Sequence, residues 1–120
     1  MPSAQVIDSA KLRGIVSAFT GRLAQDDYEG FCRLAKASRI GAAEVERVVR
    51  DYGRHFVTLP IEAFQAVDIV PVLKSNPPRW SVVVPLWSEE EGRSDLSLEL
   101  TVEDSPGSAY SVEIDDLHVQ

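Results

Sequence analysis

The stretch Leu86–Leu100, LWSEEEGRSDLSLEL, decides how the chain is read. Its second half alternates strictly. Leu96, Leu98, Leu100 and then Val102 point one way; Asp95, Ser97, Glu99, Thr101 and Glu103 point the other. A period of two marks a strand with one buried face. The first half closes another apolar run, Trp80 to Trp87, and Glu89-Glu90-Glu91-Gly92-Arg93 lies between the two runs. Charged residues and a glycine able to take positive φ suit a turn. Folding the runs together across 88–94 sets Trp87 opposite Asp95. It also pairs Leu86 with Leu96, Val84 with Leu98, Val82 with Leu100 and Trp80 with Val102. The last four pairs are apolar on both sides, so this register is self-consistent.

The same period holds from Ala66 onward. Four strands are expected at about 67–73, 79–87, 95–103 and 109–115. Lys74–Pro78, the glutamate segment and Asp104–Ser108 separate them, and Pro106-Gly107 suits the centre of a type II turn. Short separators join antiparallel neighbours, so a meander is expected. In the last strand Tyr110, Val112 and Ile114 face inward, and then Leu117 and Val119 arrive one place late. A bulge at Asp115-Asp116 explains the slip.

The first half of the chain carries helical periodicity instead. Leu12, Ile15, Val16, Phe19 and Leu23 share one face, with Asp8 or Ser9 as the N-cap. Asp26 and Glu29 fit a capping box before a second helix bearing Tyr28, Phe31, Cys32, Leu34 and Ala35. A third follows Gly41, with Val45, Val48, Val49 and Tyr52 on one face and Gly53 as its stop. Phe56–Leu59 reads as extended, and Pro60 opens a helical turn through Phe64. The fold class expected is therefore α+β in a single domain, 1–120. About three N-terminal helices (about 8–65) pack on one face of a four-stranded antiparallel meander (about 66–119).

Composition narrows the function classes. The 120 residues hold one cysteine, Cys32, so no internal disulfide forms. No apolar run reaches the roughly 20 residues that span a bilayer, and no signal peptide is visible at the start. A cytoplasmic setting is the expectation. Residues 1–60 carry nine Lys/Arg against seven Asp/Glu, net +2, and residues 61–120 carry three against twelve, net −9. Phosphate binding needs a positive stripe that the second half lacks, so neither direct nucleic-acid nor membrane binding is expected. An acidic surface steers basic partners instead.

The strand register makes a further statement. It places Val83, Pro85 and Trp87 on the face away from the helices, whereas strands three and four are polar there. A strand apolar on both faces is normally covered on both. Three covers are open: the 53–66 segment, a second copy of the chain, or a foreign protein. Arg93 and Asp95 beside Trp87, with Glu99, form a polar rim of the kind that surrounds an interaction hot spot.

Catalysis finds little support. Acid/base work needs a carboxylate in a dry cleft with a shifted pKa, and the inward phase of the sheet is Leu, Val, Ile, Tyr and Trp. Asp116 and His118 can share a strand face, but no further metal ligands are spaced to complete a site. His55, just past a helix end, reads as a favourable cation there. Neither cofactor nor metal is expected. The reading is a non-enzymatic acidic interaction module, immunity-like or adaptor in character, docking a protein partner or forming a homodimer through Val83, Pro85, Trp87, Arg93, Asp95 and Glu99. The alternative is a small-ligand or enzyme domain with a pocket between helices and sheet, lined by groups such as Tyr28, Tyr52 or His55.

The motif Trp80-x-Val-x-Val-Pro-Leu-Trp87, then Glu90-Glu91-Gly92-Arg93-Ser94-Asp95-Leu96 and Glu113–Val119, resembles a family of small bacterial proteins of unknown function. That resemblance brings no activity, cofactor or catalytic residue with it. The order of elements, helices and then a curved antiparallel sheet, also resembles the cystatin/NTF2-like roll. That fold hosts enzymes, ligand binders and immunity-type proteins alike, so it selects none of them.

Overall fold

The computed structural model describes residues 6–105, 107 and 109–119. The helices form where the periodicity places them. The first, α1 (Ser9–Ala24), is capped by Asp8, whose carboxylate accepts the Lys11 N–H at 3.0 Å. It buries Leu12, Val16, Phe19 and Leu23. The second, α2 (Tyr28–Arg33), is capped one residue later than expected, by Asp27, which accepts from the Gly30 N–H at 2.9 Å. Asp26 stands ahead of it at φ 56°, outside the cap. Glu29 pairs along the helix with Arg33 at 3.1 Å, so no capping box closes. The third, α3 (Ala42–Tyr52), stops at Gly53, whose φ of 75° is the left-handed conformation that a helix end favours in glycine. A 3₁₀ turn over Ile61–Ala66 follows Pro60.

The sheet has five strands and is mixed, which corrects the expected four-stranded antiparallel meander. A two-residue strand, β1 (Ala37–Ser38), runs parallel to the last strand; β2 (Asp68–Pro71), β3 (Arg79–Ser88), β4 (Gly92–Glu103) and β5 (Ser111–Val119) are antiparallel neighbours. Their spatial order is β1-β5-β4-β3-β2. Hydrogen bonds from Lys36 N–H to Val112 O and from Arg39 N–H to Ile114 O hold β1 in place. Two residues are too few to display a period, which is why β1 escapes a periodicity reading. β2 is shorter than expected, and β5 runs four residues further. Pro106 of the expected turn lies outside the described residues, and Gly107 has φ 78°.

Register follows the apolar pairs over most of the hairpin. Trp80 pairs with Val102, Val82 with Leu100 and Val84 with Leu98. Beyond Pro85, which faces Ser97, the pairing shifts, and Trp87 faces Arg93 rather than Asp95. The turn shrinks from the expected 88–94 to Glu89–Glu91 because Gly92 at φ 73° starts β4 at once. The two residues thereby gained on β4 are taken up by a bulge around Ser94–Leu96. At the other end of the sheet a one-residue bulge lies where the phase slip places it. Glu99 pairs with Asp116 but Leu100 pairs with Ile114, leaving Asp115 as the extra residue.

One apolar core joins both layers. Val16, Phe31, Val45, Val82, Val84, Leu96, Leu98, Leu100, Val102 and Ile114 have no exposed surface. Phe19 and Phe31 meet edge-on with centroids 5.3 Å apart, an arrangement aromatic rings favour. The 53–66 segment does not stack over the outer face. It runs along the edge of β3, with Phe56 bridged to Ser88, and its Phe56, Leu59 and Ala63 enter the core. Thr20 ties it to α1, donating to Val16 O and accepting the Leu59 N–H at 3.0 Å.

Candidate docking face

Pleating sends alternate residues of each strand to the face away from the core. Three cross-strand rows build that outer face. Asp68, Val83, Glu99 and Asp116 form one; Val70, Ser81, Thr101 and Glu113 form the next; Pro85, Ser97 and His118 form the third. Val83 is half-buried between two carboxylate-bearing neighbours, Asp68 and Glu99. Pro85 is buried. Trp87 is half-buried and packs against the core cluster, with its indole lying over Gly92. A Cβ at Gly92 would come within 3.4 Å of that ring, so the missing side chain permits the contact. Arg93 and Asp95 are exposed at the far end of the face.

Of the six expected residues, Val83, Pro85 and Glu99 lie in the outer rows, Trp87 and Arg93 pair beyond the irregularity with Trp87 packed against the core cluster, and Asp95 sits in the bulge, so they do not form one apolar patch. Arg93 makes no ion pair among the described residues, and the shifted register sets it opposite Trp87. Glu99 instead takes His118 Nε2, and Asp116 lies 3.9 Å from the same nitrogen. The hydrogen bond to Glu99 holds the His118 imidazole above its ordinary pKa. Thr101 Oγ1 donates to Asp115 at 2.7 Å. Glu103, at the other end, binds Arg79 Nε at 2.7 Å and Ser105 Oγ at 2.9 Å, with Lys36 Nζ 3.6 Å away. The Arg79 hydrogen bond chiefly lowers its pKa.

Most of these partnerships escape a sequence reading because they join residues brought together only by register. His118 and Asp116 were legible as neighbours on a strand; Glu99, 19 positions away, was not. Among the described residues no group of three His, Cys, Asp or Glu side chains is placed to hold a metal ion.

The glutamate turn has a structural role. Glu90 accepts the His55 N–H at 2.9 Å and its Nδ1 at 2.6 Å. Glu91 accepts the Tyr52 hydroxyl at 2.9 Å, and Arg54 stands 3.9 Å away. The turn therefore clasps the end of α3. The His55 backbone N–H and then its ring bring the Glu90 pKa down to about 2, and the same carboxylate raises that of His55.

Tyr28 and His55 do line a common cleft, with Asp26, Arg50 and Arg54, of about 270 Å³. It is an open surface groove beside α2 and α3, not an enclosed cavity between helices and sheet. Its basic groups are paired: Arg50 with Glu46 at 2.7 Å, His55 with Glu90 and Arg54 with Glu91 at 3.9 Å. The Tyr52 hydroxyl points elsewhere, into the hairpin. Cys32 is half-buried with its thiol 3.8 Å from Ile40 O, and burial pushes its pKa up, which keeps it a poor nucleophile.

No helix among the described residues is long and apolar enough to cross a membrane. No curated protein and no solved structure matches the chain. A family model does match, over residues 20–120 and so over most of the sequence, and the chain belongs to that family, the domain of unknown function DUF7668.

Proposed function

We propose that this protein is a non-enzymatic interaction module, immunity-like or adaptor in character, whose outer sheet face receives a basic protein surface. One observation carries the reading: the carboxylates of Glu99, Glu113, Asp115 and Asp116 are all partly open to solvent on a single sheet face around Val83. A partner bearing lysine or arginine around an apolar side chain complements that arrangement. Trp87 and Arg93 extend the face at one end, Asp95 with them. A second copy of the chain fits this face poorly, since stacking like faces sets carboxylates against carboxylates. A cytoplasmic setting, without nucleic-acid or membrane contact, goes with this reading. The order of elements, compatible with a cystatin/NTF2-like roll, supports it only as far as such rolls serve binding roles.

The test uses the ¹⁵N-labelled protein and a lysine-rich amphipathic peptide. Amide shifts are expected at Val83, Glu99, Glu113 and Asp116, weakening as salt rises and absent in a Glu99→Lys/Glu113→Lys variant. A glutamate-rich peptide of the same pattern is expected to leave the spectrum unchanged. Shifts that gather instead at Tyr28, Arg50 and His55 favour the small-ligand alternative through the surface cleft. No binding of the basic peptide overturns the docking reading.

A further inference from the structure

The carboxylates of the outer face are compensated in two different ways. Glu103 is paired with Arg79 at 2.7 Å and with Lys36 at 3.6 Å. Guanidinium and ammonium groups stay charged across the physiological range, so such a pairing persists. Glu99 is paired with His118 Nε2, and Asp116 Oδ2 lies 3.9 Å from the same nitrogen. An imidazole is the side-chain cation that gives up its charge near neutral pH. His118 is also the only basic side chain in the three cross-strand rows that carry Asp68, Glu99, Glu113 and Asp116.

The surroundings of the ring favour its charged form. Nε2 faces the Glu99 carboxylate, and Nδ1 lies 3.3 Å from Val119 O. Only an imidazolium carries an N–H for each of two acceptors. The ionised groups that act on the ring are Glu99 from β4 and Asp116 from β5 itself. In its own row β4 offers Ser97 and β3 offers Pro85, both uncharged. β1 meets β5 with Ala37 and Ser38, and the flanking Lys36 and Arg39 bind by their backbone N–H to Val112 and Ile114, toward the other end of β5. α3 reaches the core through Val45 and Val49, and its Glu44, Glu46, Arg47, Arg50 and Asp51 pair with one another.

We propose that His118 is a built-in competitor of the basic partner, holding Glu99 when charged and loosening it when neutral, so that the outer face takes a basic surface more tightly as pH rises through neutrality. The inference rests on the docking reading given above. A partner's lysine needs the carboxylate that His118 holds, and the imidazolium repels that lysine as well. Loss of one proton removes both obstacles and leaves the face one negative charge richer. The hydrogen bond to Glu99 raises the imidazole above its ordinary 6.5, so the internal pair is complete below 6.5 and is lost as pH rises through the raised value. Linkage makes the effect reciprocal: a bound basic partner draws the proton off His118.

Titration calorimetry of the lysine-rich amphipathic peptide against the whole chain, from about pH 6 to about pH 9, spans that change. Affinity is expected to rise roughly two- to fivefold, the reach of one exposed charge pair. The peptide's lysines stay charged throughout. His118→Gln is expected to bind at the high-pH level at every pH, and His118→Lys at the low-pH level at every pH. His55→Gln, which changes the other histidine, keeps the wild-type rise. NMR of the His118 ring reads the same competition in the unaltered chain: its titration midpoint is expected to fall when saturating peptide is added. Peptide binding that is flat with pH overturns this inference and leaves the docking reading standing. So does a rise that survives in His118→Gln, or a midpoint that bound peptide does not move. Absence of peptide binding at every pH overturns both.

Discussion

The sheet breaks its regular pairing twice, and the two breaks are held in different ways. Near the hairpin turn, β4 spends two extra residues against β3 around Ser94–Leu96. That bulge is pinned from outside the sheet: the Tyr52 hydroxyl, at the end of α3, accepts the Asp95 N–H at 2.9 Å and donates to Glu91. Ser94 Oγ helps from within, accepting the Leu96 N–H at 3.2 Å. In β5 a single extra residue, Asp115, is held by its own neighbours. Thr101 donates to Asp115, and Asp116 accepts the Leu117 N–H at 2.8 Å. The first bulge joins layers; the second only adjusts a strand so that Ile114 and Leu117 both reach the core.

Changing Tyr52 is the most direct way to break that contrast. Tyr52→Ala removes the clasp together with ring packing on Phe56, whose centroid is 5.6 Å away. A loss of about 2–4 kcal/mol is expected. Tyr52→Phe isolates the hydrogen bonds, and about 1 kcal/mol should go. Chemical denaturation measures both, and hydrogen exchange at Asp95 should rise in each.

Deleting Asp115 sharpens the comparison. The shortened strand still alternates, with Ile114 and Leu117 facing inward, so the expected cost is within about 1 kcal/mol, mostly the Thr101 hydrogen bond. A loss approaching that of Tyr52→Ala would mean that the second bulge also joins layers.

The smallest effect lies beside the first bulge, in the exposed His55–Glu90 pair. Glu90 has a depressed pKa, so its contribution is present above the ordinary carboxylate value of 4.5 and fades as pH falls toward 2. His55 has a raised pKa, so its contribution is present below the ordinary 6.5 and fades as pH rises through the raised value. Both act together between 4.5 and 6.5. The stability difference between wild type and His55→Ala should peak in that window and shrink on either side. A flat difference across pH would show that the pair is not what clasps the turn.

The same two bulges explain what could be read beforehand. One extra residue inverts the inside–outside alternation, so the slip at Asp115-Asp116 is visible in the string of residues. Two extra residues restore the alternation, so Leu96 keeps its inward phase and the shift beside Trp87 leaves no trace. That is why Trp80 to Pro85 found their expected partners and Trp87 did not. β1 was hidden for another reason, being too short to carry a period.

The order of residues alone determined the helix faces, the Gly53 stop, the inward leucines of β4, the acidic character of the second half and the bulge in β5. Each follows from a local period, a local conformational preference or a sum of charges. Only the tertiary structure decided that Pro85 is buried, that Glu99 meets His118, that the glutamate turn clasps α3, and that Ile69–Leu73 lies at an open edge. Those facts depend on which distant residues share a neighbourhood, and a one-dimensional pattern does not encode contacts made after its parity has been restored.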